Sequence, residues 1–182
     1  MAHQELEVEV GHIPSDVEGF LALRDRLATT PEGGAAVFAT ALVCLARDED
    51  LGRAALTIAI DRSQLSQGDK GYKGFQPSNM ELQAFKERIA AKPHVALSYI
   101  AGTSPETGYA LPSAPLKVRI RNQGLAHERS EDTAKLFVHS TGADSPRPLA
   151  LVKNNRGLWK AKGWSSLTVG VRPPVEVLDD DL

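Results

Sequence analysis

The sequence predicts an α+β fold in which N-terminal helices pack on a C-terminal four- or five-stranded antiparallel sheet. Before Pro115, capping signals and apolar residues at helical spacing dominate, whereas after it apolar residues alternate with cations at a period of two. Only a few Gly, Pro, Asn and Ser residues separate the strand candidates. Such connections are too short for the crossovers of a parallel sheet, so we expect antiparallel pairing.

Length and composition predict one domain over residues 1–182. The chain has 182 residues and 42% hydrophobic content, enough for a single core. We expect a flexible N-terminus (about 1–12) and an acidic C-terminal tail (about 174–182). The longest apolar run, residues 35–46, is shorter than the roughly 20 residues that span a bilayer. The acidic start differs from a secretory signal, so the predicted location is cytoplasmic, without membrane contact.

Helix starts are marked by local signals. Residues 15–18 form a capping box that places the first cap at Ser15 and the helix end near Ala28. Thr30-Pro31 starts a second helix, and residues 33–46 are apolar nearly all round, which predicts the central buried helix. Residues 51–60 fit either a helix or a strand.

The middle of the chain combines a predicted loop with another helix. Residues 63–77 are polar and rich in Gly, which is typical of a long surface loop with a function or with mobility. Residues 78–81 repeat the capping-box pattern, and Lys92-Pro93 ends the helix that follows.

Strand candidates follow Pro115. In residues 116–121 apolar side chains alternate strictly with cations, as in a strand with one face in the core and one in water. The further short strand candidates are residues 135–140, 149–152, 158–161 and 166–171.

Charge is distributed unevenly along the chain. Residues 1–114 carry ten basic and fifteen acidic side chains, 115–173 carry eleven and four, and 174–182 carry none and four. The local net charges are therefore −5, +7 and −4, for a total of −2. This asymmetry indicates an anionic partner for the basic segment. The tail acids either shield that segment or keep the chain soluble; they are Glu176, Asp179, Asp180 and Asp181.

The leading functional hypothesis is a non-enzymatic binding or accessory protein. Its basic sheet face would engage an acidic protein surface, as in a toxin–immunity pair or an assembly subunit. Nucleic acid is disfavoured because the chain as a whole is acidic. The predicted binding residues are Lys117, Arg119, Arg121, Arg147, Lys153, Arg156, Trp159 and Lys160. The competing interpretation puts Trp159 and Trp164 in the core and leaves the cations as solubilising groups.

The alternative hypothesis is a metal-independent phosphodiesterase or ribonuclease-like enzyme. A His would act as general acid or base, and Arg or Lys would stabilise phosphorane charge. The candidates are His127, His139, Arg119, Arg147, Lys153 and Lys160, with His139, Arg119, Arg147 and Lys160 preferred. A triad of His139, Asp144 and Ser145 is disfavoured because one loop holds all three and the Gly-x-Ser-x-Gly elbow is missing.

No cofactor and no metal site is predicted. The single cysteine, Cys44, lies in an apolar run and is expected to pack in the core. The five His residues show no i, i+4 pair, and the Gly-rich residues 68–74 lack the Gly-Lys-Ser/Thr ending of a phosphate-binding loop.

Several segments resemble a group of uncharacterised bacterial single-domain proteins. They are Gly-Thr-Ser-Pro…Gly-Tyr (102–109), Gly-Ala-Asp-Ser-Pro-Arg-Pro (142–148), Lys-Asn…Gly…Trp-Lys (153–160) and Ser-Ser-Leu…Val-Gly-Val (165–171). The resemblance covers roughly residues 30–174. It implies a bacterial origin and one compact domain, and it implies no activity.

Overall fold

A computed structural model describes residues 4–123 and 125–177. A five-stranded antiparallel sheet has the order β1-β4-β5-β6-β7, and a separate hairpin pairs β2 with β3. The strands are β1 (Gln4–Gly11), β2 (Leu65–Tyr72), β3 (Phe75–Pro77), β4 (Leu116–Asn122), β5 (Thr133–Val138), β6 (Arg147–Lys153) and β7 (Trp159–Gly163). The helices are α1 (Val17–Leu27), α2 (Pro31–Arg47), α3 (Glu49–Ala59), α4 (Asn79–Phe85), a π-helical turn (Lys86–Ala90) and α5 (Pro93–Leu97). The predicted α+β class is confirmed.

Helix α2 is the central element of the core. The Thr30 hydroxyl accepts a hydrogen bond from the Gly33 amide at 3.0 Å, and Pro31 occupies the first turn, as the sequence predicts. Nearly every residue of α2 is buried, including Cys44. The helix contacts all five strands of the main sheet on one side and α3 on the other. In the described part of the chain no helix is long and apolar enough to cross a membrane.

The structure corrects the predicted start of α1 and establishes where α3 ends. The α1 cap is Asp16, whose carboxylate accepts from the Gly19 amide at 2.7 Å, so the prediction of Ser15 was one residue early. Helix α3 runs to Ala59, and Ile60 then pairs in parallel with Ala161 of β7. The mixed pattern of residues 51–60 therefore reflects a helix that ends at the edge of the sheet.

The described residues of the N-terminus form a strand of the main sheet. Gln4–Gly11 is β1, paired with β4 from Gln4↔Asn122 to Gly11↔Leu116. The fifth strand thus comes from the start of the chain. It does not come from residues 166–171, because Ser165–Thr168 is a 3₁₀ turn that buries Leu167. The tail acids Asp179, Asp180 and Asp181 lie outside the described residues.

The predicted loop at residues 63–77 is largely a hairpin packed on α3. Lys73 and Gly74 have positive φ values of 51° and 80°, which suits a tight turn between paired strands. A side chain on Gly71 would come within 2.2 Å of the Thr57 hydroxyl on α3. Glycine therefore lets the hairpin approach the helix closely.

Candidate protein-binding face

One face of the main sheet points away from α2 and carries most of its charge. Side chains alternate along each strand, and paired residues share a face. In β4, buried Leu116, Val118 and Ile120 face the core, so the cations between them face outward. We call this surface the outer face. Its residues are Glu5, Glu7, Glu9, Lys117, Arg119, Arg121, Thr133, Lys135, Phe137, His139, Pro148, Ala150 and Val152.

Three glutamates of β1 stand directly opposite three cations of β4. The register pairs Glu5 with Arg121, Glu7 with Arg119 and Glu9 with Lys117. Directly opposed side chains in an antiparallel pair start about 5 Å apart, so each carboxylate lowers the potential at its facing cation. We call Glu5, Glu7 and Glu9 the acidic row and Lys117, Arg119 and Arg121 the basic row. Over residues 4–123 and 125–177 no ion pair joins the two rows. The cations are thus partly neutralised yet available to another molecule.

His139 lies beside this basic row at the end of β5. Its amide donates to the Arg119 carbonyl at 2.9 Å, and the residue is half-buried. Burial and then the charge of Arg119 lower the pKa of the imidazole below its ordinary value, whereas Glu5 acts in the opposite direction. The ring is therefore mostly neutral at pH 7.

Phe137 of β5 lies between the basic row of β4 and β6. We call the outward residues Pro148, Ala150 and Val152 of β6 the apolar strip. The Lys135 ammonium lies 5.5 Å from the centroid of the Phe137 ring, within cation–π range. Phe137 pairs with Pro148, and Lys135 pairs with Ala150. The outer face thus runs from an acidic edge through a basic row to an apolar strip.

Two of the residues predicted for binding are buried. Trp159 is 6% exposed and Lys160 is 9% exposed, so the expectation that they form an exposed cation–aromatic patch was wrong. Trp164 is also buried, with its ring stacked on Phe85. The tryptophans occupy the core because β7 lies against α2, where Gly34 leaves room for Trp159.

The Lys160 ammonium is used inside the protein. It donates to the carbonyl of Ile58, one of the last acceptors of α3. Carbonyls at a helix C-terminus lack intrahelical partners and attract cations. Burial and, after it, the nearby Arg24 guanidinium lower the pKa of Lys160 to about 8.

The remaining predicted cations lie apart from the basic row. Arg147 donates to the Gly170 carbonyl at 2.7 Å. Lys153 lies 3.6 Å from the Asp132 carboxylate and 5.8 Å from the Trp159 ring centroid. Arg156 is exposed in the turn between β6 and β7. Of the predicted binding residues, the structure brings together Lys117, Arg119 and Arg121.

A protein-family profile matches most of the chain. A profile described as a domain of unknown function, DUF6935, matches residues 12–175. The chain belongs to the DUF6935 family. No curated protein and no solved structure matches it. In this DUF6935 domain, the basic row of β4 lies within the matched residues, whereas Glu5, Glu7 and Glu9 precede them.

Three of the segments behind the resemblance meet at one place in the DUF6935 domain. Two of them, residues 102–109 and 142–148, hold the third, residues 165–171, and the chain that follows it. The Tyr99 hydroxyl donates to the Leu167 carbonyl at 2.6 Å, and the Val175 amide donates to the Pro105 carbonyl at 2.9 Å. The Tyr109 hydroxyl donates to the Arg172 carbonyl. Together with the Arg147 bond, these contacts show a structural role for the segments.

The predicted catalytic groups of the DUF6935 domain are only partly assembled. His139 and Arg119 are neighbours, but Arg147 and Lys160 are engaged elsewhere. Asp144 pairs with Arg172 at 2.6 Å, so it does not orient His139 in a triad. His127 is exposed in the short 3₁₀ turn Ala126–Glu128.

The acidic row is the feature of the outer face that sequence reasoning missed. Its signal was the alternation of glutamate with other residues from Gln4 to Gly11, which matches the alternation of cations in β4. Complementary alternating patterns of this kind predict cross-strand pairing.

Proposed function

We propose that this DUF6935 domain is a bacterial, cytoplasmic, non-enzymatic binding protein whose outer face engages a protein with an acidic surface. The carrying observation is the group of four cations on adjacent strands β4 and β5. These cations form no ion pair within residues 4–123 and 125–177. They are Lys117, Arg119, Arg121 and Lys135. A toxin–immunity or assembly partner of opposite charge fits such a group.

The acidic row argues for a protein partner rather than a nucleic acid. A phosphate backbone over the β4 cations would also approach Glu5, Glu7 and Glu9, which would repel it. A protein surface can place carboxylates over the cations and neutral groups over the glutamates. The paired rows would then set the orientation of the partner as well as its on-rate.

The apolar strip supplies the other component of an interface. Phe137 lies next to the cations, and Pro148, Ala150 and Val152 continue the surface on β6. Interfaces combine a central aromatic or apolar contact with a polar rim. The partner is therefore expected to cover Phe137 with an apolar side chain.

Reversing two cations of the outer face is expected to abolish partner capture. In a pull-down from native bacterial cytosol, an Arg119→Glu/Lys135→Glu variant should lose an acidic protein that the wild type retains. The reason is that two attractive contacts become repulsive. A Glu5→Gln/Glu7→Gln/Glu9→Gln variant should retain more of the same protein, because the facing carboxylates no longer offset the charge of the cations.

The matched control is Arg88→Glu/Lys92→Glu, which makes the same charge change at exposed positions on the helical side. It should bind like the wild type, and circular dichroism should show that all variants are folded. Nuclease treatment of the lysate should leave capture unchanged. Identical eluates from the wild type and the Arg119→Glu/Lys135→Glu variant would contradict the proposal, as would capture that depends on nucleic acid.

A phosphodiesterase is the second candidate, and the proximity of His139 to Arg119 and Arg121 favours it. The imidazole with the lowered pKa would act as general base at pH 7, and the guanidinium groups would neutralise a phosphate. Cleavage of a fluorogenic RNA oligonucleotide tests this candidate. Turnover that His139→Ala reduces by 100-fold or more would support it, whereas equal background rates in both proteins would exclude it.

A further inference from the structure

A cleft on the opposite side of the molecule has the features of a small-molecule site. It has a volume of about 400 Å³ and lies between α3, the β2–β3 hairpin and α4. Its apolar wall is formed by Leu45, Leu56, Leu82 and Phe85. This volume falls within the range of about 300–1,000 Å³ that ligand pockets in proteins occupy.

Three cations and two amides line the rim of the cleft. They come from α3, β2, α4 and the π-helical turn, and they are Arg53, Lys70, Asn79, Gln83 and Lys86. Arg53 pairs with Asp50 on its own helix. Lys70 and Lys86 form no ion pair in the described residues 4–123 and 125–177. Since Glu49 is the one carboxylate lining the cleft there, the rim has an excess of positive charge.

A buried amide holds two sides of the cleft in place. Gln76 is 6% exposed, and its carbonyl oxygen accepts from the Lys70 amide at 3.1 Å. Its NH₂ group donates to the Asn79 side-chain oxygen, also at 3.1 Å. That contact leaves the two NH donors of Asn79 available at the rim. The hairpin and the start of α4 are thus tied together before any ligand binds.

The third side of the rim contains a rare backbone conformation. The helix changes from α to π geometry at Lys86, and the Ala91 amide donates to the Lys86 carbonyl at 2.9 Å. Single π turns are uncommon within helices and occur frequently at functional sites. Here the turn starts at the residue that contributes a cation to the cleft.

We propose that this cleft binds a small organic anion with an apolar body, such as a phosphate ester or a carboxylate. The anionic group lies against Lys70, Lys86 and the Asn79 amide, and the apolar body lies on Leu56, Leu82 and Phe85. The proposal is independent of the outer face, because the two surfaces share no residue.

Titration calorimetry with phenyl phosphate and with phenylacetate tests the cleft. At least one should bind the wild type saturably, and at least tenfold more tightly than inorganic phosphate or phenol. Each of these last two probes supplies only half of the contacts. In a Lys70→Ala/Lys86→Ala variant, affinity for the bound probe should fall by tenfold or more. Both lysines are exposed, so the variant is expected to fold.

Two controls separate the cleft from general charge effects. Arg88→Ala/Lys92→Ala removes the same charge from exposed positions outside the cleft lining and should leave affinity unchanged. Arg119→Glu/Lys135→Glu on the outer face should also leave it unchanged. Failure of both organic probes to bind the wild type would overturn the proposal. Equal affinity in the Lys70→Ala/Lys86→Ala variant would do the same.

Discussion

Replacing Gly52 with alanine is expected to lower the free energy of unfolding by about 2 kcal/mol or more. A Cβ atom at this position would lie 2.2 Å from the Cα of Leu45, so the backbones of α2 and α3 would have to move apart. Alanine favours a helix over glycine by about 1 kcal/mol. Overpacking a closely fitted core costs about 1–3 kcal/mol and sometimes more, and a clash with backbone belongs at the upper end.

Urea and thermal unfolding measure this loss. For a domain of this size about 2 kcal/mol corresponds to a fall of roughly 4–8 °C in Tm. The control is Gly163→Ala, where the added Cβ would be 3.4 Å from the Ala150 side chain, close to ordinary contact. Its stability should stay within about 0.5 kcal/mol of the wild type. A Gly52→Ala protein as stable as this control would show that the helices can separate without loss.

The second large effect concerns Lys160 and alkaline pH. The wild type is expected to gain up to about 3 kcal/mol relative to Lys160→Met as the pH rises from about 8 to 10.5. In the folded protein the pKa of Lys160 is lowered to about 8, whereas the ordinary value is 10.5. Between these values the unfolded chain binds more protons than the folded protein. The free energy of unfolding therefore increases with pH, because deprotonation of the folded protein removes the buried positive charge.

Urea unfolding at pH 7, 8.5 and 10 measures the difference between the two proteins. Cys44 acts with the opposite sign, because burial raises its thiol pKa from 9.0 to about 12 and so lowers stability above pH 9. Both proteins contain Cys44, so the difference between them isolates Lys160. Lys162→Met, which removes an exposed lysine of the same strand, should follow the wild type across this range. Parallel curves for the wild type and Lys160→Met would contradict the expectation.

The best sequence predictions concern elements whose signals are local. The start of α2 at Thr30-Pro31 and its burial follow from a cap and from a run in which Thr40 is the one polar residue. The strand character of β4 follows from strict alternation over six of its residues, 116–121. In both cases the information lies within a few turns of helix or one strand, so no knowledge of distant residues is needed.

The elements that local signals did not predict depend on distant parts of the chain. Residues 4–11 are a strand because β4 offers an edge with complementary charges, and that edge is formed by residues far along the sequence. The hairpin of β2 and β3 forms where glycines allow close packing on α3. The cleft draws residues from five elements, α2, α3, β2, α4 and the π-helical turn, so no single stretch of the sequence contains it.

By itself, the sequence determined the α+β class, the buried central helix and the outward row of cations on β4. Only the tertiary structure decided which cations are available. It buried Lys160 on a helix carbonyl and Trp159 in the core, and it set three glutamates opposite the basic row. The reason is physical: periodicity determines which side of its own strand or helix a side chain occupies. What that side faces depends on elements that only folding brings together.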